Sequence, residues 1–354
     1  MTDTQRQTNI ELLRLVAMFL IVFSHTNLFS LGRPQGAVFT NEFTWNTLRF
    51  AAQSVSCIGV NLFVLISGYF SIKPKFRSVS GLLFQVLFFS LICLGFIELF
   101  GLLSGQRLVT LGMLGNAFRI LTKYNWFISA YLMLVVFAPM LNSFCNTASR
   151  VKLGAVILLF FAASTYLGWA TRCSKEFNDG FSFVSFVLLY LVGRYLQLHH
   201  HGLVNRPART DAIHFLFYVV LNTAIAVWRR DNPYKMSVFA LNNPLGLYGA
   251  LCFFLFFSKL KLQNSTLNAL AKGTFGIFLL QMHPQVMPLF RKMVKYLYAN
   301  CNHALFSAQM LLLTLVFCLA GLALDRLRRL IWDKLDFPLN GIYLRLKQRL
   351  LQRD

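Results

Sequence analysis

Apolar residues run through this chain in long unbroken blocks, not at the alternating or 3.6-residue spacing of a half-buried element. "LLFQVLFFSLICLGFIELF" and "LLLTLVFCLAGLAL" are two of them. Blocks of this length match a hydrocarbon core about 30 Å thick. Bounded by turn residues and charges, the pattern predicts about ten spans near Ile10–Leu28, Ala51–Phe70, Val79–Leu103, Trp126–Phe144, Val151–Ala170, Phe181–Leu198, Ala212–Trp228, Val238–Phe257, Leu270–Phe290 and Leu305–Leu330. The expected fold class is therefore all-α: a polytopic integral membrane protein. No fixed-period repeat or low-complexity segment interrupts it, and residues 1–335 read as one transmembrane domain. Residues 336–354 read as a basic cytoplasmic tail, whose leucines fit a short helix on an anionic leaflet or a solvated end. The first block lacks a small-residue cleavage site and is expected to stay as a span.

Composition agrees: 56% of the 354 residues are hydrophobic, 13% are charged and the mean hydropathy is +0.58. A formal charge of +22 would point to nucleic acid in a soluble chain; here it is explained by Lys and Arg in short cytoplasmic loops, so no nucleic-acid partner is expected. "KPKFR", "SRVK" and the C-terminal basic run carry that bias if both termini are cytoplasmic. Arg291, Lys292 and Lys295 run against it. The seven cysteines form no CxxC pair and read mainly as small buried residues, with Cys173 and Cys301 on one outer side. No metal is expected.

The first block, "NIELLRLVAMFLIVFSH", holds Arg14 and His25. A charge at the centre of a span costs about 2.5–3.5 kcal/mol on insertion scales, so such a residue is a candidate functional group. The two are eleven residues apart. At about 100° and 1.5 Å per residue they share one helix face, about 16 Å from each other. That spacing suits a long ligand with an anionic head held by Arg14, a planar donor of paired hydrogen bonds, and a reactive end delivered to His25, which titrates near neutrality. The alternatives are that Arg14 snorkels or pairs with Glu11, and that His25 bonds a backbone carbonyl.

Arg14, ten intervening residues and His25 in a first span resemble the acyltransferase-3 family of membrane O-acyltransferases. Four further stretches carry the resemblance: "GVNLFVLISGYF", "KPKFR", "NWFISAYLMLVVFAPMLN" and "GTFGIFLLQMHP". The resemblance implies transfer of an acyl group, acetyl as the expected one, from cytoplasmic acetyl-coenzyme A to a hydroxyl of a cell-surface or lipid-linked glycan. It implies His25 as general base, Arg14 near the coenzyme A phosphates, and a multi-pass location in a bacterial cytoplasmic membrane. No Ser or Cys is arranged as an acyl-enzyme nucleophile, so direct transfer is expected. Many relatives add a soluble esterase-like domain; this chain is expected to complete the transfer itself or to pass the acyl group to a partner.

Each matched stretch also has a bland reading. Ser67 is a candidate donor-side residue, yet small residues at helix contacts are common. Lys73, Lys75 and Arg77 are candidate phosphate ligands, yet charge bias alone would place them there. Trp126 borders an acceptor site or belongs to an interfacial belt. His283 is an acceptor-site candidate, or answers a carbonyl freed by Pro284. A base histidine works better when a carboxylate orients its other nitrogen, and Glu42 and Glu98 are the two candidates. The competing class is a transporter or flippase for a lipid-linked sugar, whose signature would be paired interrupted helices.

Overall fold

A computed structural model describes residues 7–118, 125–199, 201–232 and 237–351. Among them there is no strand. Seven helices are long and apolar enough to cross a membrane: Thr8–Leu31, Phe43–Phe70, Phe76–Leu103, Trp126–Thr147, Arg150–Ala170, Ala208–Trp228 and His303–Leu335. Two shorter apolar helices, Phe183–His199 and Pro244–Ser258, fill the sixth and eighth positions. The chain is thus an all-α polytopic membrane protein. The bundle has a near end, where the first helix starts, and a far end, where it finishes.

Four expected boundaries move. The ninth span is not one helix: it is divided into Ser265–Ala271, Thr274–Gln281 and Val286–Asn300. Gly273 falls at the first break, and Pro284, which has no N–H to give, at the second; the His283 carbonyl then accepts from Val286 and Met287 N at 2.9 Å each and starts the next helix. The second span begins earlier than Ala51 and bends at Cys57–Ile58, between Phe43–Ser56 and Gly59–Phe70. The eighth begins at Pro244 rather than Val238 because Asn243 caps it, accepting from Leu245 N at 3.1 Å. The last helix continues past the boundary expected at residue 335 to Leu351; the side chains of 336–351, and residues 352–354, lie outside the described residues.

Close helix contacts are made by glycine. A Cβ on Gly193 would come within 2.4 Å of the Leu65 carbonyl oxygen, and one on Gly68 within 2.3 Å of the Tyr190 carbonyl oxygen. Gly59–Phe70 and Phe183–His199 therefore pack backbone to backbone, and "LISGYF" owes its glycine to that contact. Gly59 does the same against Ala17 of the first helix, at 2.8 Å. Gly193→Ala is expected to destabilise the protein by about 1–3 kcal/mol, as overpacking does, read as a lower melting temperature in detergent. The seven cysteines are all unpaired thiols.

Candidate active site

The first helix, Thr8–Thr26, has no break between Arg14 and His25, so both stay on one face. It ends at Asn27, whose Nδ2 donates to the Arg49 carbonyl oxygen at 2.8 Å while Arg49 Nε donates to Asn27 Oδ1 at 3.2 Å. Ser30 Oγ donates to the carbonyl oxygen of His25. The turn after His25 is thereby held from two sides.

His25 is half-buried, and its Nδ1 lies 2.8 Å from Oε1 of Gln281. Gln281 is fully buried at the end of Thr274–Gln281, and its Nε2 faces the Val22 carbonyl oxygen at 3.5 Å. An amide nitrogen turned to a carbonyl leaves the amide oxygen for the histidine, and that oxygen only accepts. Nδ1 therefore carries the proton. Nε2 is left with a lone pair that can take one.

The residues expected to support His25 lie elsewhere. Glu42 Oε1 is 3.2 Å from His303 Nε2, and His303 stacks on Trp45 with ring centroids 4.4 Å apart. That pair ties the start of the second span to the start of the last. Glu98 Oε2 accepts from Leu108 N and Val109 N at 3.1 and 2.8 Å, fixing the turn after the third span. Neither carboxylate is the atom on His25. Gln281 lies inside the quoted "GTFGIFLLQMHP", and its only sequence signal was a polar amide in an apolar run.

At the near end Arg14 Nη1 donates to Glu11 Oε1 and Oε2 at 3.0 and 3.2 Å, so the Glu11 pairing is present. Arg14 also lines a recess of about 300 Å³ with Ser67, Tyr131, Lys272 and Thr274, and its guanidinium sits 5.6 Å from the centroid of Phe70. Ser67 Oγ donates to the Phe63 carbonyl oxygen at 2.9 Å and is 3.2 Å from Tyr131 Oη. Phe70 also lines a neighbouring recess of about 450 Å³, with Lys73, Asn146, Arg194 and Gln197. Lys75 and Arg77 are exposed and line neither recess.

Arg194 was missed by sequence reasoning, although an arginine in "LVGRYL" carries the same signal as Arg14. It is 5% exposed. Nη1 donates to Gln197 Oε1 at 3.0 Å, Nη2 to Asn146 Oδ1 at 2.7 Å, and Nε is buried with no hydrogen-bond partner among the described residues. A buried guanidinium held by neutral groups, here two amides and the Cys145 thiol, is costly unless an anion completes it.

Trp126 packs edge-on against Phe181 and Phe186, at centroid distances of 4.8 and 5.7 Å. His283 is 7% exposed; its Nδ1 accepts from Gln285 N at 3.3 Å, and it borders a small void with Ser90 and Asn125. The structure gives neither a contact with His25. Among the described residues no group of three or more His, Cys, Asp and Glu side chains is placed to hold a metal ion.

The geometry thus has a proton-accepting imidazole towards the far end and two cation-lined recesses at the near end. No curated protein and no solved structure matches the chain. The profile of one family, described as an acyltransferase domain, matches residues 7–324. That match covers most of the chain, which therefore belongs to the acyltransferase-3 family and is a membrane acyltransferase.

Proposed function

We propose that the protein moves an acyl group, acetyl as the expected one, from acyl-coenzyme A to a hydroxyl of a cell-surface or lipid-linked glycan, with His25 as general base. The observation that carries this reading is the Gln281 amide on Nδ1, which directs the basic lone pair of His25 to Nε2.

In the proposed step Nε2 takes the proton of the acceptor hydroxyl while its oxygen bonds to the acyl carbon. The carbon–sulfur bond of the thioester breaks, and the proton passes to the departing thiolate. Products are the ester and free coenzyme A, with no oxidant or metal required. The near end would face the bacterial cytoplasm and receive the donor. Its diphosphate suits Arg194 and Lys73, whose recess contains a guanidinium lacking an anionic partner, and Arg14 and Lys272 line the path beyond Phe70. The fit rests on charge and on the unpartnered Nε of Arg194.

The test is transfer of label from acetyl-coenzyme A to membrane glycan in inside-out vesicles. Label above that of membranes lacking the protein is expected; none, with acceptor present and the chain folded, would defeat the reading. Arg14→Ala and Arg194→Gln should each raise the apparent KM for the donor by about tenfold or more, as loss of a charged hydrogen bond does, with a smaller change in kcat. An unchanged donor dependence in both variants would remove the near-end recesses from donor binding.

A further inference from the structure

Arg291, Lys292 and Lys295 run against the distribution of positive charge, and neither recess at the near end uses them. They lie on the amphipathic helix Val286–Asn300, whose other face buries Met287, Phe290 and Val294. Lys295 lines a recess of about 580 Å³ at the far end, together with Arg33, Arg49 and Tyr298.

This recess collects three cations, and the two acids that reach them, Glu42 towards Arg49 and Asp231 towards Arg33, are shared with other groups. Arg49 is 6% exposed and donates to the neutral oxygens Asn27 Oδ1, Asn46 Oδ1 and the Gly32 carbonyl, each at 3.2 Å, with the Tyr298 side chain as a further partner. Arg33 Nη2 donates to the Ala226 and Arg229 carbonyl oxygens at 3.1 and 3.2 Å, while its Nε is buried with no hydrogen-bond partner among the described residues. The nearby acids are engaged. Glu42 meets His303, and Asp231 accepts from Gly36 N at 2.8 Å and pairs with Arg230 at 3.3 Å. Burying guanidinium groups against neutral partners is unfavourable unless a ligand brings the opposite charge.

The recess also adjoins the candidate base. Leu31 lines it and belongs to the short helix Leu28–Leu31 that follows His25. Between them, the Phe29 ring lies 4.8 Å from the His25 ring and 5.3 Å from the Arg291 guanidinium. The recess and His25 thus stand at the two ends of one short helix, Leu28–Leu31, on the same far end of the bundle.

We propose that the recess binds an oxyanion carried by the acceptor, so that the acceptor glycan is acidic: a uronate-type carboxylate or a sugar-linked phosphate. This rests on the reading of His25 as the acceptor's base. The recess sets which glycan is modified by holding its charge beside the reacting hydroxyl.

Binding is measured with the full chain in phosphatidylcholine nanodiscs at physiological salt, so that no anionic lipid competes. The probes are a galacturonate hexamer, inorganic diphosphate and neutral maltohexaose. At least one charged probe should bind about tenfold or more tightly than maltohexaose, and Lys295→Glu should weaken it by a similar factor. Lys292→Glu, an equal charge change on the same helix outside the recess, should have much less effect. Preference for the hexamer identifies a carboxylate, and preference for diphosphate a phosphate. The proposal is overturned if neither charged probe binds, if maltohexaose binds as well, or if the two lysine variants behave alike. Acyl transfer that persists beside such a result would leave the chemistry of His25 standing and remove only the acidic acceptor.

Discussion

His25→Ala is expected to lower acyl transfer by about a hundred- to ten-thousand-fold, the span a positioned general base contributes, with only a modest fall in melting temperature. The side chain is half-buried, and its loss takes the partner from the buried Gln281 Oε1, a cost of about 1–3 kcal/mol that leaves the fold in place. The companion variant separates chemistry from mere presence in the site. Gln281→Leu keeps the imidazole but removes the acceptor that fixes its tautomer. It should reduce kcat by about tenfold or more without raising the KM for the donor. Gln281→Glu, which keeps an oxygen opposite Nδ1, should retain more activity than Gln281→Leu. Equal activity in native protein and His25→Ala would remove the base; equal loss in both Gln281 variants would make the amide a packing residue.

The second large effect is on stability. Asp211 is fully buried at the start of Ala208–Trp228. It pairs with Lys259, and its Oδ1 receives Arg206 Nη2 at 2.6 Å. Asp211→Ala leaves the nearly buried Lys259 ammonium without its partner, a change that costs about 3–5 kcal/mol in buried ion pairs. A large fall in melting temperature in detergent is the expected result. Replacing both partners, Asp211→Ala with Lys259→Met, should recover much of the loss, because no buried ammonium is then left uncompensated and Arg206, 29% exposed, can turn to solvent. An unaffected melting temperature in Asp211→Ala would show that the pair is solvated.

The sequence carried the parts of this protein that are local. Block length announced the spans, and the helical repeat put Arg14 and His25 on one face without any tertiary information. The partner of His25 was not legible, because the contact closes over 256 residues of chain and is made by a neutral amide. Expectation favoured a carboxylate, but Glu98 is occupied by the turn after its own helix and Glu42 by His303 at the start of the last helix. Arg194 was legible in principle by the rule that singled out Arg14. The breaks in the ninth span were signalled by Gly273 and Pro284, yet its apolar length outweighed them when it was read as one element.

That broken span also joins the two halves of the site. Lys272, just before Thr274–Gln281, lines the recess of Arg14, and Gln281, at its end, holds His25. Eight helical residues, about 12 Å of rise, therefore connect the two ends beside the longer stretch of the first helix. The segment works as a spacer of fixed length and phase. Adding or deleting one residue within it would turn Gln281 by about 100° away from His25 and change its separation from Lys272. Length variation is therefore open to the surface loops of this bundle and closed to this short helix, whatever its individual side chains.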